Sequence, residues 1–300
     1  MSKINPNKLL ISSDFYSIQG EGISSGIPSY FIRLAICNLR CGMSQKFLND
    51  LVKKGPDALE DGEIFKGDLH EEGTASWTCD STSQWAIRGE EKEFQYLIDQ
   101  WKDQGIYEDI LNGTIHLIWT GGEPTIKGHQ EAIVNFHKYW SEVAKKYIQT
   151  EIRLYDGLNG KTWVYYKPFT VFNEIETNGT IYIEDDLFFL LNQINCSPKL
   201  SNSGQEENKR IVPSAIKRIM EHFNYQFKFV ISSEDDVLEI FRDFVEPFKI
   251  PLKNVVCMPG LDDASEFEER TRFVMEMAKK YRFRGLTRLH IAAWNKTLNV

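Results

Sequence analysis

The sequence predicts an α/β fold built on a mainly parallel sheet, either a partial α/β barrel or an open α/β sheet. Short apolar runs alternate along the chain with amphipathic segments, the order typical of βαβ units. Several runs are apolar at both alternating positions, as in parallel strands that are covered on both faces.

Seven short apolar runs are the predicted strands. Parallel strands all point the same way, so their carboxyl ends share one edge, and α/β proteins build their sites there. The residues that follow each run are therefore the first candidates for function. The predicted strands span residues 30–36, 115–120, 171–177, 191–197, 226–232, 254–260 and 288–294.

Five segments between the strands have the apolar period of an amphipathic helix. Pro213 is placed for the first turn of one helix. Ser233 and Ser265 each precede acidic residues, as at capped helix starts. The helices are predicted within residues 90–105, 129–147, 212–223, 233–245 and 265–281.

Two segments interrupt the alternation of strands and helices. Residues 42–76 are rich in glycine and charge and are predicted to be an insertion. At about 148–168, two strand-like runs flank the turn DGLNGK and predict an inserted hairpin. The chain is therefore predicted to be a single domain, residues 1–300, that carries two insertions.

Composition excludes several classes of protein. Hydrophobic residues make up 42% and charged residues 26% of the 300 residues, which is ordinary for a globular protein. A net charge of −8 argues against a broad basic surface for nucleic acid. There is no apolar run of membrane-spanning length and no secretory signal at the start. We expect a cytoplasmic protein with no membrane partner.

Five scattered cysteines are too few for a disulfide framework. Cys37 and Cys41 end a predicted strand, and Cys79 follows the first insertion, which gives the spacing C-x3-C-x37-C. Three thiolates on a 4Fe-4S cluster would leave one iron open to a substrate. Spacing alone leaves free buried cysteines as the alternative. Cys196 and Cys257 lie inside apolar runs and are predicted to pack in the core.

Other polar groups lie close to predicted strands. The turn WTGGEPTI lets a ligand approach the backbone and adds the carboxylate of Glu123. Gln19 and Glu21, set among glycines, offer an amide and a carboxylate to a nitrogen heterocycle, or form a solvated turn. Arg33 interrupts an apolar strand and requires an anionic partner, either a substrate carboxylate or a neighbouring acidic side chain.

Together these motifs resemble the radical S-adenosylmethionine superfamily, and within it the 7-carboxy-7-deazaguanine synthases. The match runs in order from about residue 14 to residue 295. The matching motifs are FYSIQGEG, FIRLAICNLRC, WTCDST, TGGEP, ETNGT, CSPK, KFVI, MPG and TRLHIAAWN.

The resemblance implies a partial (β/α)6-type barrel and a lyase reaction of 7-deazapurine (queuosine-type) biosynthesis. A 4Fe-4S cluster would bind S-adenosylmethionine, whose cleavage gives a 5′-deoxyadenosyl radical. That radical takes a hydrogen from C6 of 6-carboxy-5,6,7,8-tetrahydropterin; the ring contracts, ammonia leaves and S-adenosylmethionine is regenerated. Mg2+ would bind the substrate. The family further implies a homodimer and an electron donor such as flavodoxin or ferredoxin.

The resemblance also implies a role for individual residues. Cys37, Cys41 and Cys79 would hold the cluster, and Ser81 the magnesium. The implied pterin contacts are Ile18, Gln19, Gly20, Glu21, Arg33 and Thr120. The implied S-adenosylmethionine contacts are Gly122, Glu123, Glu176, Asn178, Ser197, Lys199, Met258, Pro259 and Gly260.

The chain departs from the family pattern in three places. The family commonly has C-x3-C-x2-C, whereas here Ser44 takes the third position and Cys79 follows 37 residues after the second cysteine. Ser81, with Thr82 beside it, replaces a metal-binding threonine, and a serine hydroxyl also suits magnesium. Asn178 stands where the family often has serine, and it can still donate and accept hydrogen bonds.

Two other functions fit parts of the pattern. Another small radical enzyme, such as an activase of a glycyl-radical enzyme, would share the cluster and the GGEP turn but would need a groove for a protein partner. A non-catalytic iron–sulfur or zinc protein would need only the cysteines. The IQGEG motif and Arg33 favour a small pterin.

Overall fold

The computed structural model describes residues 4–54, 75, 77, 79, 86, 89–145, 151–156, 161–166, 170–260 and 264–295. In these residues a nine-stranded sheet forms the centre, and a separate two-stranded sheet lies outside it. The strands are β1 Leu9–Ile18, β2 Pro28–Leu34, β3 Glu90–Lys92, β4 His116–Gly121, β5 Glu151–Asp156, β6 Lys161–Tyr166, β7 Asn173–Thr177, β8 Gln193–Cys196, β9 Tyr225–Ile231, β10 Val255–Pro259 and β11 Arg284–Gly285.

Helices follow most of the central strands. Pro213 opens its helix at the first turn, as predicted, and Ser233 forms a capping box with Asp236. The described helices are α1 Gln45–Lys54, α2 Phe94–Asp103, α3 Tyr107–Leu111, α4 Lys127–Ala144, α5 Asp185–Phe188, α6 Glu207–Arg210, α7 Pro213–Met220, α8 Glu234–Ile240, α9 Glu246–Phe248, α10 Phe267–Tyr281 and α11 Leu289–Trp294.

The central sheet has the linear strand order β11-β10-β9-β8-β7-β4-β2-β1-β3. Within this sheet all pairings from β11 to β2 in the strand order are parallel, and only β1 pairs antiparallel, with β2 and β3. Each parallel strand is added beside the one before it in the chain, as in a barrel that does not close. The predicted α/β fold with a mainly parallel sheet is confirmed.

One face of the sheet is apolar and packs against the helices. Trp119 of β4, Ile175 of β7 and Phe229 of β9 are fully buried there. Aromatic side chains from α2 and α4 complete this core: the ring centroids of Trp101 and Trp140 lie 4.9 Å apart. Burial of these large side chains fixes the register of the strands, because a shift by one residue would turn them to the other face.

The opposite face, called the inner face below, carries the polar side chains. Strand register places Arg33 beside Thr120 and Glu176 beside Asn195. A buried polar group is costly unless it is hydrogen-bonded, so a polar interior implies a connected network or a ligand. The inner-face polar residues are Arg33, His116, Thr120, Glu174, Glu176, Gln193, Asn195, Gln226 and Lys228.

The first six predicted strands are confirmed, and so is the hairpin, since β5 pairs antiparallel with β6. The seventh predicted strand, residues 288–294, is wrong because these residues form helix α11. Burial recurs at Arg288 and Ile291, a spacing of three that suits a helix, and the last strand is the short β11.

Two further features differ from the sequence predictions. Helix α10 begins at Phe267 with Glu266 as its N-cap and no side-chain cap, so the predicted cap at Ser265 is wrong. Strand β1 and helix α1 were not predicted; α1 lies in the charged segment 42–76, whose remainder lies almost wholly outside the described residues. None of the described helices is long and apolar enough to cross a membrane.

Candidate active site

The loops that carry the sequence motifs meet at the carboxyl edge of the parallel strands. Strand β2 leads into the loop of Cys37 and Cys41, and β4 leads into the GGE turn. The ETNGT, CSPK and MPG motifs lie at the ends of β7, β8 and β10. The fold therefore brings together residues that are more than 200 positions apart in the chain.

The three predicted cluster cysteines lie together. The Cys79 backbone N–H donates to the Cys41 carbonyl oxygen at 3.1 Å, so the returning chain is tied to the first cysteine loop. Cys37, Cys41 and Cys79 all pack against one small apolar cluster that includes Leu39 and Trp77. The other two cysteines are buried in the main core, as predicted.

Burial favours the protonated form of the Cys37 and Cys41 thiols. Burial raises the pKa of Cys41 to about 12, against the opposing effect of the Lys199 ammonium. Burial, followed by the nearby Glu123 carboxylate, also raises the pKa of Cys37. Because thiolates are the metal-binding form, loading a cluster here releases protons.

The chemistry of the three cysteines fits an iron–sulfur cluster, whose irons are held by Cys thiolates. Among the described residues, no group of three or more His, Cys, Asp or Glu side chains is placed to hold one metal ion. The thiolates of a 4Fe-4S cluster bind separate irons, so they need not converge on one point. Cys37 and Cys41 lie on one loop and Cys79 lies beside it, and all three pack against Leu39 and Trp77. This arrangement fits such a cluster. Ser81, the predicted magnesium ligand, lies outside the described residues.

The GGE turn packs directly against the end of the cysteine strand. The Gly122 N–H donates to the Leu34 carbonyl at 2.8 Å, and the Glu123 N–H to the Ile36 carbonyl at 2.9 Å. A Cβ on Gly122 would lie 1.9 Å from the Ile36 oxygen, so only glycine fits. Ile36 has a φ of 70°, a strained value for a β-branched residue, one position before Cys37. The turn is thus held next to the cluster loop.

The Glu123 carboxylate is fully buried, and both of its oxygens accept hydrogen bonds from neighbouring residues. One oxygen accepts from the Thr125 N–H at 2.9 Å and the Thr177 hydroxyl at 2.8 Å; the other accepts from the Asn178 N–H at 2.7 Å. Burial raises the pKa of Glu123, and these hydrogen bonds oppose the shift. Glu123 therefore fixes the ETNGT loop against the GGE turn.

Asn178 joins the ETNGT loop to the cysteine loop. Its Nδ2 donates to the Asn38 side-chain oxygen at 2.8 Å, and the Asn38 amide donates to the Thr180 hydroxyl at 2.8 Å. The Asn178 oxygen in turn accepts from the Thr180 N–H at 3.0 Å. These contacts connect Asn38, the residue after Cys37, to the loop that follows strand β7.

The CSPK and MPG segments complete the wall around the cysteines. The Lys199 ammonium donates to the Ser197 hydroxyl at 3.1 Å and lies 5.5 Å from the centroid of the Trp77 ring. Met258 and Pro259 are buried in β10, and a Cβ on Gly260 would lie 3.6 Å from Trp77. All five predicted residues of these two segments thus lie at the same edge.

The predicted pterin residues meet on the inner face. Gln19 is buried, and its Nε2 donates to Glu176 at 3.3 Å. The Thr120 hydroxyl donates to the other Glu176 oxygen at 2.8 Å, and the Lys228 ammonium lies 3.5 Å from Glu176. The structure therefore groups Glu176, predicted from sequence as a cofactor contact, with the residues assigned to the substrate.

Glu21 is held by two cations. Lys228 donates to one carboxylate oxygen at 2.6 Å, and the Arg288 Nε donates to the other at 2.8 Å. Burial raises the pKa of Glu21, but the positive charges of Lys228, Arg288 and His290 outweigh it and hold the pKa well below its usual range. Glu21 therefore remains ionised at neutral pH.

The other predicted substrate residues border the same region. Arg33 lies on the inner face with its guanidinium 4.7 Å from the centroid of the Phe15 ring. Ile18 ends β1, and a Cβ on Gly20 would lie 2.2 Å from the His290 ring. Helix α11 is thus packed against the loop of residues 18–21.

Sequence reasoning missed several residues of this site. Lys228 was noted only as part of a motif, although a lysine inside an apolar strand is itself a signal of a buried charge. Arg288 was placed in a strand, and Glu174 and Asn38 were given no role. No periodicity in the sequence shows that Arg288 reaches Glu21, because the contact spans 267 positions.

Comparisons with known proteins point to one activity. No protein-family model matches the chain. The 7-carboxy-7-deazaguanine synthase of Pyrobaculum aerophilum is 25% identical over 93% of this chain and 92% of that protein. The synthase of the same name from Halobacterium salinarum is 25% identical over 96% of this chain and 91% of that protein.

A solved structure supports the fold. The crystal structure of QueE from Escherichia coli superposes with a TM-score of 0.53 at 19% identity, covering 94% of this chain and 95% of that one. The resemblance predicted from the motifs is confirmed: over most of its length, the chain is similar to proteins named 7-carboxy-7-deazaguanine synthase.

Proposed function

We propose that this protein converts 6-carboxy-5,6,7,8-tetrahydropterin into 7-carboxy-7-deazaguanine, a step of 7-deazapurine biosynthesis. One observation carries the proposal: a three-cysteine loop and a charged, hydrogen-bonding inner face lie at the same edge of one parallel sheet. The two proteins named 7-carboxy-7-deazaguanine synthase that match nearly the whole chain support it.

The edge loops are the proposed holders of the cofactors. Cys37, Cys41 and Cys79 would bind a 4Fe-4S cluster. The proposed contacts to S-adenosylmethionine are Gly122, Asn178, Ser197, Lys199, Met258, Pro259 and Gly260. When bound, the cluster and S-adenosylmethionine supply the 5′-deoxyadenosyl radical that removes hydrogen from C6 of the substrate. Glu123 would act by holding the Asn178 loop, because its oxygens already accept from the chain.

The inner face is the proposed pterin site. The Glu176 side chain is 23% exposed, so its oxygens can still accept from the N–H groups of a pterin ring. Thr120, Gln19 and the backbone of Ile18, Gly20 and Glu21 would border the ring. Arg33 would pair with the substrate carboxylate, since a guanidinium matches a carboxylate in shape and charge.

Several parts of the proposal concern the surroundings of the site. Mg2+ would bind the substrate through Ser81, with Thr82 as the alternative ligand. A flavodoxin or ferredoxin would supply electrons, and the chain would act as a single domain, residues 1–300, in a homodimer. The proposed location is the cytoplasm, as expected from the sequence.

The test is turnover by the anaerobically reconstituted protein. Carboxytetrahydropterin, S-adenosylmethionine and magnesium are supplied with a chemical reductant, and 7-carboxy-7-deazaguanine is measured by mass spectrometry. Product formation is the expected result. Cleavage of S-adenosylmethionine without this product would favour another radical enzyme, and bound zinc without sulfide would favour a non-catalytic protein.

A further inference from the structure

Strand β7 carries a second carboxylate on the inner face, that of Glu174, which is not exposed to solvent. Glu174 is fully buried, two residues before Glu176 on β7. It accepts from the Gln19 Nε2 at 3.2 Å and from the Asn195 amide, and its second oxygen lies 3.5 Å from the His116 Nδ1. A group so enclosed cannot contact a ligand directly, so any role in binding must act through its neighbours.

Gln19 is the neighbour that reaches the substrate side. Its Nε2 donates to Glu174 at 3.2 Å and to Glu176 at 3.3 Å, and its Oε1 accepts from the Glu21 N–H at 3.1 Å. One amide thus bridges two carboxylates and one backbone donor. Glu174 fixes which way this amide points, and the amide in turn holds Glu176.

The other side of Glu174 is held just as firmly. The Asn195 side chain donates to Glu174, and its oxygen accepts from the Gln193 Nε2 at 3.0 Å and the Gln226 Nε2 at 2.5 Å. Gln193 lies on β8, the strand of Asn195, and Gln226 lies on the neighbouring strand β9. Because both amides hold Asn195, and Asn195 in turn holds Glu174, the Glu174 side chain has little freedom to move. The network is anchored in the sheet and ends at the partly exposed carboxylate of Glu176.

We propose that Glu174 is a positioning residue for the pterin: it orients the Gln19 amide, which sets the direction of the Glu176 carboxylate. This inference rests on the proposed function, since it names the support of the same substrate site. The role depends on the reach of the side chain and on an acceptor oxygen. It does not depend on the negative charge.

Two variants separate reach from charge. Glu174→Asp keeps the charge but is one methylene shorter, so it loses the Gln19 contact. Glu174→Gln keeps the reach, and its carbonyl oxygen can accept from both Gln19 and Asn195. The dissociation constant for 6-carboxypterin, a stable analogue, is measured by calorimetry on the anaerobic, cluster-loaded protein, together with that for S-adenosylmethionine.

We expect Glu174→Asp to weaken pterin binding about tenfold, the loss typical of one hydrogen bond to a charged group, and Glu174→Gln to stay within about threefold of wild type. Affinity for S-adenosylmethionine and the melting temperature of Glu174→Gln should be unchanged. In a double-mutant cycle, Gln19→Leu with Glu174→Asp should lose no more than Gln19→Leu alone.

Three results would overturn the inference. They are unchanged pterin affinity in Glu174→Asp, an equal loss in Glu174→Gln, and additive losses in the double variant. If Glu174→Asp does not fold, Glu174→Leu, which removes the acceptor oxygens, is compared with Glu174→Gln: a loss of about tenfold in Glu174→Leu alone is expected, and equal affinities would overturn the inference. Failure of the wild-type protein to bind 6-carboxypterin would instead contradict the proposed function.

Discussion

Replacement of Lys228 by methionine tests the charge network of the inner face. Lys228 is buried, with its ammonium 2.6 Å from Glu21 and 3.5 Å from Glu176. Methionine fills a similar volume without charge, so both carboxylates lose a cation while the packing stays similar. Arg288 still holds Glu21 at 2.8 Å.

The expected loss of stability follows from these contacts. Breaking a buried ion pair by removing one partner costs about 3–5 kcal/mol, and the remaining Arg288 contact places this case near 3 kcal/mol. For a chain of 300 residues, whose unfolding entropy is about 2.1 cal/mol/K per residue, that lowers the melting temperature by roughly 5 °C. Lys217→Met, at an exposed position on α7, is the matched control and should change stability by no more than about 0.5 kcal/mol.

The same variant has a defined dependence on pH. Burial lowers the pKa of Lys228, but Glu176 and Glu21 outweigh it and raise the pKa above its usual value of 10.5. The pKa of Glu21 lies below its usual value of 4.5. The contribution of Lys228 is lost as pH rises through its folded pKa, and that of Glu21 as pH falls through its folded pKa. The difference between wild type and Lys228→Met should therefore be constant from about pH 5 to pH 10 and shrink in stronger acid.

Melting is followed by circular dichroism on the anaerobic, cluster-loaded proteins across this pH range. A melting temperature for Lys228→Met equal to that of wild type at pH 7 would refute the reasoning, because it would mean that the buried carboxylates do not need the ammonium. A large loss in Lys217→Met would also contradict it, since the effect would then not come from burial.

The remaining predictions concern the loops at the sheet edge. Cys79→Ala is expected to lose the cluster and Cys196→Ala to keep it, measured as iron and sulfide per chain; a full, active cluster in Cys79→Ala would show the ligand assignment to be wrong. Gly122→Ala should lower turnover roughly 100-fold, because a Cβ 1.9 Å from a backbone oxygen forces the turn to move by about 1 Å. Gly105 has open space around it but a φ of 70°, so Gly105→Ala should cost about 1 kcal/mol of stability through backbone strain and leave turnover unchanged. Asn178→Ala should speed the loss of cluster absorbance in air, and an unchanged rate would show that its tie to the cysteine loop is dispensable.

The sequence predicted the edge of the sheet better than its interior. Parallel strands align their carboxyl ends, so residues that follow apolar runs, such as Cys37 and Gly122, had to come together once the strand order held. The sequence also indicates that Cys41 and Cys79 belong to one site despite the long insertion between them. The motifs FIRLAICNLRC and WTCDST on either side of it keep their order in the chain.

The interior network could not be predicted in this way. Whether Glu176 faces the cofactor or the substrate depends on which alternation of β7 turns inward, and a five-residue strand gives little periodicity to decide it. The contact of Arg288 with Glu21 depends on the C-terminal helix α11. The apolar run 288–294 predicted a strand there instead of a helix. The role of Glu123 depends on hydrogen bonds to both of its oxygens. The sequence does not predict these hydrogen bonds.

The central claim is that the cysteine loop and the inner face serve one radical reaction on a pterin. Its most direct test is anaerobic turnover of carboxytetrahydropterin that carries deuterium at C6, with Cys79→Ala as the inactive control. We predict that wild type forms 7-carboxy-7-deazaguanine and that deuterium appears at the 5′ carbon of S-adenosylmethionine. Product without label in S-adenosylmethionine, or label transfer by Cys79→Ala, would contradict the account.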